Sequence, residues 1–131
     1  MEKSILISVC CILLLCSCTN NENTVATNNE QIEKEIKKNF TKILEVSDLS
    51  SSNPYDYTKN KYYDNIVNLG NEAVPVLVSM YDKEELTGVG AYISALAIQD
   101  ITKCNLYEKY NLDWETAEEF YELWENNNCG L

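Results

Sequence analysis

Residues 59–81, KNKYYDNIVNLGNEAVPVLVSMY, decide the fold. Tyr62, Tyr63, Ile66, Val67 and Leu69 recur at helical spacing, which predicts a helix over 59–69. Gly70 follows where a left-handed residue ends a helix without a Cβ penalty. Asn71 can cap the next helix, and Pro75 falls in its first turn, where a missing N–H costs least. Ala73, Val74, Leu77, Val78, Met80 and Tyr81 make this next helix apolar around most of its circumference. It is expected to be the most buried. Two helices joined by a tight Leu-Gly-Asn turn are the unit from which the rest is read.

Outward from this unit the same periodicity continues. Upstream, Ile32, Ile36, Phe40, Ile43 and Leu44 form one stripe, with Glu33, Lys34, Lys37, Lys38 and Lys42 on the other faces. A first helix over 30–46 follows, supported by i,i+4 pairs of Glu30 with Lys34 and Glu33 with Lys37. Residues 47–58, SDLSSSNPYDYT, carry loop signals. Downstream, 82–88 is a charged turn, and a fourth helix over 89–103 buries Tyr92, Ile93, Leu96, Ala97 and Ile101. Its small residues Ala91, Ser94, Ala95 and Ala97 permit close helix approach. After a 105–112 loop, Asp113 can cap a fifth helix over 114–125. No segment alternates as a strand does. The expected fold is all-α, with about five helices.

The string Leu69-Gly70-Asn71-Glu72-Ala73-Val74-Pro75-Val76-Leu77 resembles the inter-repeat junction of HEAT-like repeats. The resemblance spans about Tyr62 to Thr102, roughly one repeat of about 40–47 residues. It departs from the pattern where Gly90 follows Val89, a place where such repeats often carry Arg. The resemblance implies a short antiparallel helix stack, capped by the first and last helices, that binds another protein. The chain is also similar to small lipoproteins of low-GC bacteria that end in a Trp-rich acidic helix.

The beginning of the chain carries a different signal. Lys3 is followed by an apolar run from Ile5 to Leu15, too short to span a bilayer, which needs about 18 or more such residues. The run ends in Leu15-Cys16-Ser17-Cys18, which resembles the lipobox of bacterial lipoproteins. Residues 1–17 are therefore expected to be a signal peptide, cut between Ser17 and Cys18, with Cys18 lipidated. Two acyl chains hold firmly where one is marginal. The polar stretch 18–29 reads as a flexible tether, and 30–131 as the helical domain. The expected location is the cell membrane, lipid-anchored on its extracytoplasmic face.

Charge narrows the function. Against 21 acidic residues stand 10 bases, every one Lys, for a net charge of -11 with no His and no Arg. Such a surface does not neutralise phosphates, so nucleic acid is excluded as a partner. There is no phosphate loop, no nucleophile elbow and no metal-binding spacing, so no catalytic residue, metal site or cofactor is expected. Glu115, Glu118, Glu119 and Glu122 lie at helical spacing and could meet a basic partner. The plainer reading is a solvated helix face. Tyr55 and Tyr57 suit an interface, though such residues more often pack core and rim. Cys104 and Cys129 outside the cytoplasm could pair, and spacing alone does not decide it. The reading that follows is a non-enzymatic module for an unidentified protein partner. Its alternative is a protective lipoprotein that sequesters cationic peptides or basic lytic enzymes.

Overall fold

The computed structural model describes residues 21–47, 50–127 and 129; the expected signal peptide 1–17, with Ser17 at its expected cut, and the expected lipidation site Cys18 lie outside them. The described residues are all-α and contain no strand. Helix α1 spans Asn21–Val46, α2 Lys61–Val67, α3 Ala73–Asp82, α4 Val89–Thr102, α5 Leu106–Tyr110 and α6 Ala117–Asn126. Short 3-10 turns at Pro54–Thr58 and Gly70–Glu72 precede α2 and α3.

Helix α4 is enclosed by α2, α3, α6 and both 3-10 turns. Its Ile93, Ser94, Ala95, Ala97 and Ile98 are fully buried, and Ala91 and Leu96 nearly so. The alanines and Ser94 bring neighbouring backbones close, and Ile93 and Ile98 fill the space between them. Helix α3 was the expected centre. It contributes Ala73, Val74, Val76, Leu77 and Met80 to the core, but leaves Pro75 and Asp82 exposed. It is the α4 helix that has neighbours on more sides.

Helix α1 lies across α2 and α3. Its buried stripe is Ile32, Ile36, Asn39, Phe40 and Ile43, while Leu44 stays 37% exposed. Asn39 takes the stripe position three residues after Ile36. Its Nδ2 donates to the Glu35 carbonyl at 2.9 Å, and its Oδ1 accepts from Asn65 Nδ2 on α2 at 3.1 Å. A buried amide satisfied in this way fixes the register of the two helices. Lys37 bridges Glu33 and Glu85, each at 2.6 Å, and so ties α1 to the α3–α4 turn.

Four boundaries differ from expectation, each for a local reason. Helix α1 spans Asn21–Val46, so residues 21–29, expected as a flexible tether, are helical. Once 30–46 is anchored, each further residue adds a hydrogen bond without a new nucleus, and no Gly or Pro intervenes. Asn28 Nδ2 also reaches Glu72 Oε2 at 3.2 Å. Helix α2 starts at Lys61 because Asn60 caps it, accepting from the Tyr62 and Tyr63 amides. The expected 105–112 loop holds α5, capped by Asn105. Helix α6 starts after Thr116 rather than Asp113, through a capping box with Glu119.

Two glycines make the turns. Gly70 has φ 71° between α2 and α3, and Gly88 has φ 53° at the start of α4. The 82–88 turn is not wholly polar: Leu86 folds back into the core. Cys104 and Cys129 are joined in a disulfide, with Cα atoms 5.9 Å apart, which sews the segment after α6 to the end of α4.

Truncating the centre of α4 tests this architecture. Ile98→Ala is expected to cost about 2–5 kcal/mol, as buried Ile truncations do. Val89→Ala at the exposed start of the same helix should stay within about 0.5 kcal/mol. Urea unfolding monitored by circular dichroism measures both; similar costs would show that α4 is not the buried centre.

Candidate functional site

The acidic residues of α6 do not act as one group. Glu119 is part of the fold: its Oε2 accepts the Glu115 amide at 2.8 Å and the Thr116 amide at 3.1 Å, while its own amide donates to Thr116 Oγ1 at 3.2 Å. Glu122 is exposed and is not among the residues that line the groove formed by Glu115 and Glu118. Glu115 and Glu118 line a groove of about 770 Å³ between the α3–α4 turn and the start of α6.

Asp82 and Glu84 line the same groove from the α3 side, so four carboxylates and no lysine surround it. Beneath them lie Leu86, Ala91 and two tyrosines, Tyr81 and Tyr92. These tyrosines are held from behind. Tyr81 stacks on Tyr121 with centroids 3.8 Å apart and planes within 9°. Tyr121 is buried and its hydroxyl hydrogen-bonds Ser94 of α4. Tyr92 packs against Trp114 at 4.6 Å, and Trp114 against Phe120 at 5.0 Å. Burial, then the Glu118 and Asp82 carboxylates, push the Tyr81 phenol above its ordinary range. The groove is thus an aromatic floor with a ring of negative charge. Aromatic faces and carboxylates both attract a cation.

The two candidate tyrosines separate. Tyr57 is only 5% exposed and donates to the Ser51 carbonyl at 3.2 Å, so it packs the core and offers no surface to a partner. Tyr55 is 54% exposed and lines a second cavity, of about 470 Å³, with Tyr63, Asp100 and Lys103 among its neighbours. Among the described residues no three acidic or cysteine side chains converge closely enough to hold a metal ion.

Sequence reasoning missed Asp82, Glu84, Tyr81 and Tyr92 as site residues. Their meeting with Glu115 and Glu118 depends on how α3, α4 and α6 pack, which periodicity does not encode. The role of Glu119 did have a signal, the Thr116-Ala117-Glu118-Glu119 capping-box spacing. The chain matches no protein-family model, no curated protein and no solved structure.

Two outcomes follow from these contacts. Glu119→Ala should cost about 1 kcal/mol by removing the cap, whereas Glu118→Ala and Glu122→Ala stay within about 0.5 kcal/mol; equal costs for all three in urea unfolding would contradict the division. The second concerns alkali. Burial pushes the Tyr63 and Tyr121 phenols well above their ordinary 10.0, and the hydrogen bond to Asp100 raises Tyr63 further. A phenol whose folded pKa is raised keeps its full contribution below the unfolded pKa. That contribution falls as pH climbs above about 10, where the unfolded chain ionises first. The loss of stability above pH 10 should therefore be shallower in the Tyr63→Phe/Tyr121→Phe double variant than in the native chain; parallel pH curves would contradict it.

Proposed function

We propose that this chain is a lipid-anchored, extracytoplasmic binding module whose groove docks a basic segment of a partner protein. The observation that carries the reading is the meeting of Asp82, Glu84, Glu115 and Glu118 over Tyr81 and Tyr92, with no lysine among the lining residues. A lysine or arginine side chain set there gains from ring faces and carboxylates at once. The HEAT-like junction at 69–77 is consistent with a module that works by contact rather than chemistry, and we assign it no enzymatic step.

Anchoring rests on the Leu15-Cys16-Ser17-Cys18 string, with Cys18 as the acylated residue. One further observation supports it. The Cys104–Cys129 disulfide suits an oxidising compartment. With a net charge of -11 the domain is repelled by anionic lipid, so the lipid on Cys18 would supply the attachment.

The same charge favours a second reading, capture of cationic peptides or basic lytic enzymes near the membrane. Salt separates the two. Charge capture alone collapses when ionic strength rises from about 0.1 M to about 1 M, which shortens the screening length from roughly 10 Å to roughly 3 Å. Docking that also buries aromatic surface retains part of its affinity.

Calorimetric titration of the full chain with a lysine-rich decapeptide is the test. Binding is expected, weakened roughly three- to tenfold by Glu115→Gln/Glu118→Gln and little changed by Glu122→Gln. Equal effects from both variants, or no binding, would overturn the groove as the docking site. In cells, Cys18→Ser should shift the protein out of the membrane fraction; unchanged partition would refute the anchor.

A further inference from the structure

The second cavity lies toward the other end of α4 and shares no lining residue with the acidic groove. It is bounded by the 3-10 turn at Pro54–Thr58, the C-terminal end of α4 and the start of α5. Its volume of about 470 Å³ falls in the roughly 300–1,000 Å³ range of small-ligand sites. Its walls differ from those of the groove. Polar side chains dominate, and one exposed aromatic ring, Tyr55, stands at the edge.

The polar groups are held by one end and leave the other end to the cavity. Gln99 Oε1 accepts the Leu106 amide at 3.1 Å, and its Nε2 makes no hydrogen bond among the described residues. Asn105 Oδ1 accepts the amides of Tyr107 at 3.0 Å and Glu108 at 3.1 Å, and its Nδ2 makes none among the described residues. The Tyr63 hydroxyl donates to Asp100 Oδ2 at 2.6 Å and orients that carboxylate, whose other oxygen remains an acceptor. Lys103 holds a left-handed backbone with φ 54°, a conformation that favours glycine, and forms no ion pair among the described residues. Glu108 adds a second carboxylate to the lining. Tyr55 is pinned through its backbone, its amide bonded to Asn53 Oδ1 and its carbonyl to Thr58 Oγ1, so its ring is uncommitted.

We propose that this cavity binds a neutral, hydroxyl-rich ligand, a short oligosaccharide, with Tyr55 as the stacking face and Gln99, Asp100, Lys103, Asn105 and Glu108 as polar contacts. Donors and acceptors are interspersed, and a hydroxyl group serves both. An anion would face Asp100 and Glu108, which Lys103 only partly offsets, so a strongly anionic ligand is disfavoured. An apolar ligand would strand several polar groups without bonds. Because the amides and the Asp100 carboxylate are already oriented, little ordering remains for binding. The saccharide could be free in solution or part of a surface polymer; the chemistry of recognition is shared.

The experiment is amide NMR titration of the full chain, in a detergent without a sugar headgroup, with cellotriose, maltotriose and the N-acetylglucosamine trimer up to about 10 mM. At least one should produce saturable shifts at residues 55–58 and 99–108. Tyr55→Ala should weaken it roughly three- to tenfold, and Tyr55→Phe should preserve it. Asn105→Asp retains the cap on α5 but removes the Nδ2 donor, so it should lower affinity with unfolding stability unchanged. Co-sedimentation with an insoluble polysaccharide of the same linkage distinguishes the two sources: pelleting indicates a surface polymer, and its absence alongside NMR binding indicates a free saccharide. Absence of shifts with every trisaccharide, or binding unaffected by Tyr55→Ala and Asn105→Asp, would overturn the proposal, as would tighter binding of a charged trisaccharide at the same residues.

Discussion

The burial of α4 is the constraint on which everything else depends. A helix apolar around most of its circumference cannot rest on a surface; it must be enclosed, and α2, α3 and α6 together enclose it. Its small residues set how near those helices come, and one polar group, Ser94, is buried only because Tyr121 supplies its hydrogen bond. That bond joins the centre of the domain to α6, and Tyr121 in turn supports Tyr81. The aromatic floor of the groove is therefore an extension of the core rather than a surface decoration.

The same helix also separates the two surfaces. Gly88, Ala91 and Tyr92 at its start line the acidic groove, while Gln99, Asp100 and Lys103 at its end line the polar cavity. The two share no lining residue, although Tyr92 of the groove and Leu96 of the cavity lie only one helical turn apart. The disulfide closes the far end, where Cys104 follows Lys103. Rigidity at that end matters because the cavity works by fixed orientation of short polar side chains. The groove differs in character: its carboxylates are exposed, and it attracts by field and ring face more than by fit.

Much of the helical pattern was legible because it is a matter of period. The stripe at Ile32, Ile36, Phe40 and Ile43, the break at Gly70 and the small residues of α4 all carry local signals. What escaped notice did so for different reasons. Asn39 looks like a surface residue until Asn65 is opposite it. Leu86 sits in a charged turn and is buried by its return toward the core. The extension of α1 back to Asn21 comes from propagation off an anchored helix, which composition does not reveal. At the site, Glu115 and Glu118 could be named from sequence, but Asp82, Glu84 and the tyrosines beneath them could not. Tyr55 and Tyr57 could not be told apart from sequence, because aromatic residues near a loop read alike whether they point in or out.

Native-state hydrogen exchange of the full chain tests the central claim that α4 organises the fold. Amides of Ile93 to Ile98 should exchange only through global unfolding and be the slowest in the chain, with α3 and α6 close behind and residues 25–31 fast. If α4 exchanged by a lower-energy local opening while α1 or α3 remained protected, the two surfaces could not share it as their common support, and the account would fail.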